Sequence, residues 1–343
     1  MDISYEKNYN NFLCNSIHLE NISFIPLIVL LNNINVSSSN EPEEYCKQIK
    51  ELCELLPQHI KTELDNFVIG SNCHEQQQGF ILFTPLDILN DFNYDTPSNN
   101  NCKVGEKTLL AKIQSVLMSY ISSIVSYEAE GYGRIFQDII PDIRMENQQS
   151  SVGSSKELEI HTEQAFSKIK PDFLSLACIR GDDCAYTYIL PVQSIISNLN
   201  EKENELLRKP LWKIGVDYSF KLYGNEFVEG NLRGPIPIIT GTHEEPILVF
   251  DQDLIIGIND EANQIIKKIT EIYYNHRIQH CLQPGEIMII DNRKVVHGRS
   301  QFKPYYNGKD RFLVRCFGML EDNFHKTSYA RNNNKLMFNA IYS

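Results

Sequence analysis

Apolar residues recur at helical spacing between Glu43 and Phe67, where Ile49, Leu52, Leu55 and Leu56 mark one face. They do so again from Lys107 to Tyr127, where Leu109, Leu110, Ile113, Val116, Leu117, Tyr120, Ile121 and Ile124 form a broad stripe. Side chains that return every three or four positions share one side of a helix. The first segment therefore predicts one or two amphipathic helices and the second a single long one. From Gly133 onward the pattern shortens to apolar or alternating runs at Ile135–Ile140, Leu158–His161, Phe173–Ile179, Ala185–Leu190, Pro246–Phe250, Ile287–Ile290 and Phe312–Gly318. These read as strands, as does the earlier Gly79–Phe83. Two further helices are predicted: Asn198–Lys209, stopping before Pro210, and Asp260–Cys281, opened by an acidic turn that suits the helix dipole. Gln283-Pro284-Gly285-Glu286 reads as a turn, and the Asn- and Ser-rich stretches at 35–41 and 97–102 as surface loops. Glu146–Lys156 is polar and contains Gly and Ser, so it reads as a mobile loop leading into the strand at His161.

Many short strands, with helices before and between them, predict a mainly β fold with surrounding helices, a sandwich or jelly roll. No internal repeat or sharp boundary is visible. The expectation is a single domain over 1–343, with a mainly helical part at 1–130, a strand-rich core with helical insertions at 131–320 and a tail at 321–343. The net charge of -12 argues against a phosphate-binding surface and so against a nucleic-acid partner, though not against a local basic pocket for a small dianion. The apolar stretch from Phe24 to Leu31 is too short to span a bilayer, so no membrane partner is expected. Nine scattered cysteines include no C-x-x-C pair, which argues against a zinc ribbon or redox motif. They are read as reduced thiols of a cytoplasmic protein.

Two short segments carry the chemistry: His161-Thr162-Glu163 and Val296-His297-Gly298-Arg299. Two imidazoles and one carboxylate make the facial set that holds non-haem Fe(II) while leaving positions open for other ligands. His161 and Glu163 are two apart, so an extended segment projects both to one side. A co-substrate carboxylate would need a cationic fork, and Arg311 and Arg315 follow His297, alternating with apolar residues as on a strand. The other seven histidines offer nothing specific. His276 and His280 are four apart on the predicted helix, but no Glu follows His276 and they sit at its C-terminal end, where cations are favoured anyway.

The surrounding residues sharpen this. The H-T-E motif, together with Asp291-Asn292-x-x-x-Val296-His297-Gly298-Arg299-Ser300-x-Phe302 and Gly308-x-Asp310-Arg311-x-Leu313-x-Arg315, resembles the clavaminate synthase-like branch of Fe(II)/2-oxoglutarate-dependent oxygenases. The likeness is greatest to the oxygenases of free L-amino acids and covers about Gly131 to Gly318. It implies a double-stranded β-helix (distorted jelly roll) core, Fe(II) on His161, Glu163 and His297, and 2-oxoglutarate and O2 as co-substrates. It assigns the distal carboxylate of 2-oxoglutarate to Arg311, with the Thr187 hydroxyl as second donor. The substrate α-carboxylate goes to Arg315, and the remaining contacts at that end to Gln137, the free oxygen of Glu163 and Ser151. Asp251 and Asp253 fall where family members recognise the substrate side chain. Two carboxylates at i and i+2 of an extended segment face the same way and suit an ammonium or guanidinium.

The expected activity is therefore hydroxylation of C3 or C4 of a free L-amino acid, lysine or arginine, with release of succinate and CO2. Other readings stay open: asparagine, another polar or a carrier-tethered amino acid as substrate; a zinc hydrolase on the same three ligands; or a non-catalytic jelly-roll binding protein. Oligomeric state is not legible.

Overall fold

The computed structural model describes residues 16–17, 19, 21–69, 79–84, 93–217, 232–327, 331 and 336–338. The fold is dominated by β-sheets with helices packed against them. A major sheet runs in the order Ser16–Ile17, Phe80–Phe83, Ile287–Asp291, Phe173–Arg180, Phe312–Met319, Ser123–Tyr127 and Met337–Phe338, with Phe136–Ile139 also paired to Phe312–Met319. A minor sheet runs Ile278–His280, Thr187–Pro191, Val295–Arg299, Leu158–His161, antiparallel throughout.

Side chains of the major sheet alternate with a period of two, and this decides where everything else sits. Ile81, Phe83, Phe136, Phe173, Ala177, Ile287, Ile289, Phe312, Val314 and Cys316 join one core cluster with the helices Asn21–Asn33, Pro42–Leu52, Gln58–Ile69 and Leu109–Ile121. The intervening residues Leu82, Val125, Ile139, Leu174, Leu176, Cys178, Met288, Leu313 and Phe317 belong to a second cluster, shared with the minor sheet and the helix Asp260–His276. The strands are thus apolar on both faces, as expected of a sheet covered on both sides. The polar exceptions on the second face, Gln137, Arg311 and Arg315, are buried and look toward the minor sheet.

Most predicted elements are present, with two informative differences. The helix predicted to run from Lys107 to Tyr127 ends at Ile121, and Ser123–Tyr127 is a strand. Thr108 caps the helix through Ala111 N, and Ser122 turns to extended backbone, so that Ser123, Ile124 and Val125 pair with Met319, Gly318 and Phe317. β-Branched residues satisfy either pattern locally; the free strand edge settles it. A Cβ on Gly318 would lie 2.2 Å from the Ser122 hydroxyl, so glycine allows this crossing.

Likewise, the helix predicted over Asp260–Cys281 stops at His276, and Ile278–His280 pairs with Thr187–Ile189. Arg277 ends it: its guanidinium lies 3.7 Å from the Tyr188 ring centroid and pairs with Glu157 at 3.0 Å. His276 and His280 therefore do not share a helix face, and His280 instead meets Glu286 at 2.7 Å. Of the expected tail, Met337–Phe338 is an edge strand of the major sheet. No helix among the described residues is long and apolar enough to cross a membrane.

Candidate active site

The site lies between the two sheets. His161 ends one strand of the minor sheet and His297 sits opposite it in the adjacent strand, as direct register partners. Their rings are 4.5 Å apart. The register shifts between His297 and Arg299, and a Cβ on the intervening Gly298 would lie 2.6 Å from the Leu158 carbonyl. Only glycine lets the two strands approach this closely at the bulge.

Glu163 follows the strand end and is held by Asn292. The Asn292 carbonyl oxygen accepts from Glu163 N at 2.6 Å, and its amide donates to the carbonyls of Glu163 (3.1 Å) and Pro171 (2.8 Å). This gives a physical role to the Asn of the Asp-Asn motif that sequence reasoning quoted without explaining. Ligand atoms of His161, Glu163 and His297 all lie within 4.8 Å of one another.

The protonation pattern fits a cation among these three. His161 Nδ1 donates to the Glu159 carbonyl at 2.8 Å, so Nε2 keeps its lone pair. Burial, then the neighbouring His297, holds His161 below the ordinary imidazole range, which favours the neutral ligand form. Burial raises the Glu163 carboxyl, but Arg315 and the imidazoles outweigh it and hold it at about 2, as a carboxylate. His297 Nε2 stands 3.5 Å from Glu163 Oε2, and His297 Nδ1 has no hydrogen-bond partner among the described residues.

Two buried cations, Arg311 and Arg299, have no carboxylate partner among the described residues. Arg311 is buried and makes neither a hydrogen bond nor an ion pair with a described residue, and burial pushes its guanidinium below its usual range. The Thr187 hydroxyl is also buried without a hydrogen-bond partner among the described residues. Thr187 pairs across the sheet with Arg299, a second buried arginine, which burial and the Arg311 charge push down to about 9. An unpaired buried charge is costly, and two side by side more so, unless an anion enters.

A cavity of about 400 Å³ adjoins the triad. It brings together every residue that the sequence assigned to substrate: Arg315, Gln137, Glu163, Ser151, Asp251 and Asp253. Arg315 is the hub. Its Nη1 donates to Glu163 Oε1 at 3.1 Å, its Nε to Gln137 Oε1 at 3.0 Å, and its Nη2 to Glu130 Oε1. Glu130 was not anticipated, since an isolated Glu after Ala129 carries no signal. Its other oxygen accepts from Gln164 at 2.8 Å, and burial pushes its carboxyl up to about 7 despite Arg315. Gly131, at φ +57°, leaves room for the Gln137 side chain, which a Cβ would meet at 2.3 Å.

Asp251 and Asp253 line the cavity with Glu159 and Asp217, though not from the extended segment expected of them. The segment is a turn, not an extended strand: Asp251 Oδ1 accepts from the backbone of Asp253 and Leu254, each at 3.1 Å. Burial, partly offset by His161, pushes the Asp251 carboxyl up to about 7, the mark of an acid short of cations.

A sheet-dominated fold with two histidines and a carboxylate at its centre defines a non-haem iron site. Residues 224–317 match the family described as taurine catabolism dioxygenase TauD, TfdA family. The chain is 38% identical over 300 residues to L-lysine 3-hydroxylase of Catenulispora acidiphila, covering 88% of this chain and 82% of that protein. It is 26% identical over 277 residues to L-lysine 4-hydroxylase of Flavobacterium johnsoniae, covering 77% and 71% respectively. Its fold superposes on asparagine oxygenase, solved with Fe(II), 2S,3S-3-hydroxyasparagine and succinate, with a TM-score of 0.84 at 24% identity, over 95% of this chain and 100% of that one. The chain belongs to the clavaminate synthase-like family of Fe(II)/2-oxoglutarate-dependent amino acid oxygenases. It is an amino acid hydroxylase that uses Fe(II), 2-oxoglutarate and O2 on a small-molecule substrate.

Proposed function

We propose that the protein hydroxylates a free basic L-amino acid, L-lysine foremost, at C3. The observation that carries this is the set of charges lining one cavity: Arg315 and Gln137 together with the acidic Asp251, Asp253, Asp217 and Glu159. A zwitterion with a cationic side chain suits that set, with one cation for its carboxylate and a surplus of carboxylates for its positive groups. The Catenulispora relative, a lysine 3-hydroxylase, supports both the substrate and the position. In this reading the two sheets are the walls of a double-stranded β-helix, and the whole chain acts as one cytoplasmic oxygenase domain.

His161 through Nε2, Glu163 and His297 would hold Fe(II). Arg311 and Thr187 would hold the distal carboxylate of 2-oxoglutarate, giving a buried cation its missing anion. With O2, the bound iron and 2-oxoglutarate supply the oxidant, the co-substrate leaving as succinate and CO2. The rest is positioning by the chain. Arg315 takes the substrate α-carboxylate, and Gln137, Glu130, Glu163 and Ser151 surround the α-amino end. Asp251, with Asp253, receives the side-chain ammonium. Clamping both ends directs one C–H bond at the triad, where proximity replaces chance encounter. The polar loop before His161 closes one wall of the cavity through Gln149, Ser150 and Ser151 and excludes water.

The test is mass spectrometry of the standard L-amino acids incubated with enzyme, Fe(II), 2-oxoglutarate, ascorbate and air, with succinate followed in parallel. A gain of one oxygen on lysine is expected, with fragmentation placing it at C3. Gain on asparagine alone would overturn the basic-substrate reading while keeping the chemistry. Replacing Asp251 by Asn should lower kcat/KM for lysine by about 10- to 100-fold, the worth of a charge-assisted hydrogen bond.

A further inference from the structure

Arg299 stands two residues beyond His297 on the same strand and directly across from Thr187. It is 4% exposed and has no carboxylate partner among the described residues. Its contacts go to the loop instead. Nη1 donates to the Gly153 carbonyl and Nη2 to the Lys156 carbonyl at 3.3 Å, while Nε is buried without an acceptor among the described residues. Phe302 adds a third tie. Its backbone N donates to the Ser154 carbonyl at 3.0 Å, and its ring lies 4.9 Å from the Arg299 guanidinium and 6.0 Å from that of Arg311. One side of the loop is thus fastened at residues 153 and 156 to Arg299 and at residue 154 to Phe302, whose ring lies against both buried guanidiniums. The other side, through Met145, Gln149, Ser150, Ser151 and Val152, forms the wall of the substrate cavity.

We infer that Arg299 is a positioning residue that couples 2-oxoglutarate occupancy to the setting of the 145–156 loop, and so to affinity for the amino acid. The inference rests on Arg311 being the co-substrate anchor. Two guanidiniums buried together repel each other, and each relaxes only when an anion arrives. A dianion at Arg311 and Thr187 offsets that repulsion and so strengthens the hold that Arg299 already has on the Gly153 and Lys156 carbonyls. Coupling of this kind is reciprocal: 2-oxoglutarate tightens amino acid binding by the same factor as the amino acid tightens 2-oxoglutarate.

The experiment uses the full chain loaded with Fe(II) under anaerobic conditions. Amide hydrogen exchange over residues 146–156 is followed with and without 2-oxoglutarate, and the Kd of L-lysine is measured by calorimetry in both states. For the wild type, exchange should slow on adding 2-oxoglutarate alone, and lysine should bind about tenfold tighter, within the usual range of such couplings. Arg299→Lys keeps the charge but cannot span two carbonyls. It should bind 2-oxoglutarate within about threefold of wild type yet lose both the exchange response and most of the tightening. Unchanged coupling in Arg299→Lys overturns the inference. So does wild-type exchange that ignores 2-oxoglutarate, a measurement that needs no variant to fold. Loss of 2-oxoglutarate affinity with coupling intact would make Arg299 a direct co-substrate ligand and also overturn it. A wild type that binds no 2-oxoglutarate at all would sink the reading of Arg311 itself, and the coupling with it.

Discussion

Asn292 shows how much of this site depends on side chains that touch no reactant. Its amide satisfies three buried backbone groups, two of them on Glu163, so the carboxylate is presented from a fixed backbone. Asn292→Ala would strand those groups, at about 1–3 kcal/mol for each left unpaired. Urea unfolding should show that loss, and iron titration should show affinity lower by about 10- to 100-fold, the usual cost of removing a residue that orients a metal ligand. Arg311 predicts the opposite trend in stability. Because its buried charge lacks a partner among the described residues, Arg311→Met should leave the protein without co-substrate as stable as wild type or more so, while abolishing stabilisation by 2-oxoglutarate. A melting temperature that falls on substitution would mean that the guanidinium is already compensated. Both histidines and Glu163 were legible in the sequence because that ligand set suits one metal ion, whereas roles for Arg311 and Arg315 were implied only by the resemblance. Glu130 and Arg299 were not, since each matters only through what the fold sets beside it.

Among the elements, the meeting of Leu158–His161 and Val295–Arg299 is the critical one. Gly298 lets the bulged strands close so that His161 and His297 stand opposite. In Gly298→Ala the new methyl would press on the Leu158 carbonyl at 2.6 Å, and Tyr273 Oη at 3.2 Å blocks a shift outward. Overpacking of this kind costs about 1–3 kcal/mol. The expected outcome is a lower urea midpoint together with weakened iron binding, because the strain falls on the histidine pair; native iron affinity in this variant would contradict the assignment. Element boundaries were the least legible feature. The helix stripes at 109–121 and 260–276 continue in pattern into Ile124 and Ile278, yet both chains turn to strand there. The reason is a neighbouring strand edge, supplied by residues about 190 and 90 positions away in sequence.

At the scale of the whole molecule, the site is a charged seam in an apolar sandwich. Two clustered imidazoles and two buried arginines with no carboxylate partner among the described residues oppose folding, a cost that metal and dianion would relieve. Iron and 2-oxoglutarate should therefore each raise the melting temperature. At a hundredfold excess over Kd a ligand adds about 2.7 kcal/mol, and chelation with EDTA should reverse the metal's share. A melting temperature that responds to neither would show that the seam is already satisfied without them.

The sequence by itself determined the chemistry and the material of the fold. The H-T-E and H-G-R motifs name a metal set, the alternating arginines supply cations on one strand face, and period-two runs name sheets. These follow from residue type and local geometry, which a chain carries wherever it folds. Tertiary structure decided which carboxylates pair with Arg315, which arginines lack one among the described residues, and that Asp251 and Asp253 meet the cavity from a turn rather than a strand. Those outcomes depend on burial and on contacts between distant segments. The free energy of a charge is set by its surroundings, and its surroundings exist only once the two sheets have closed.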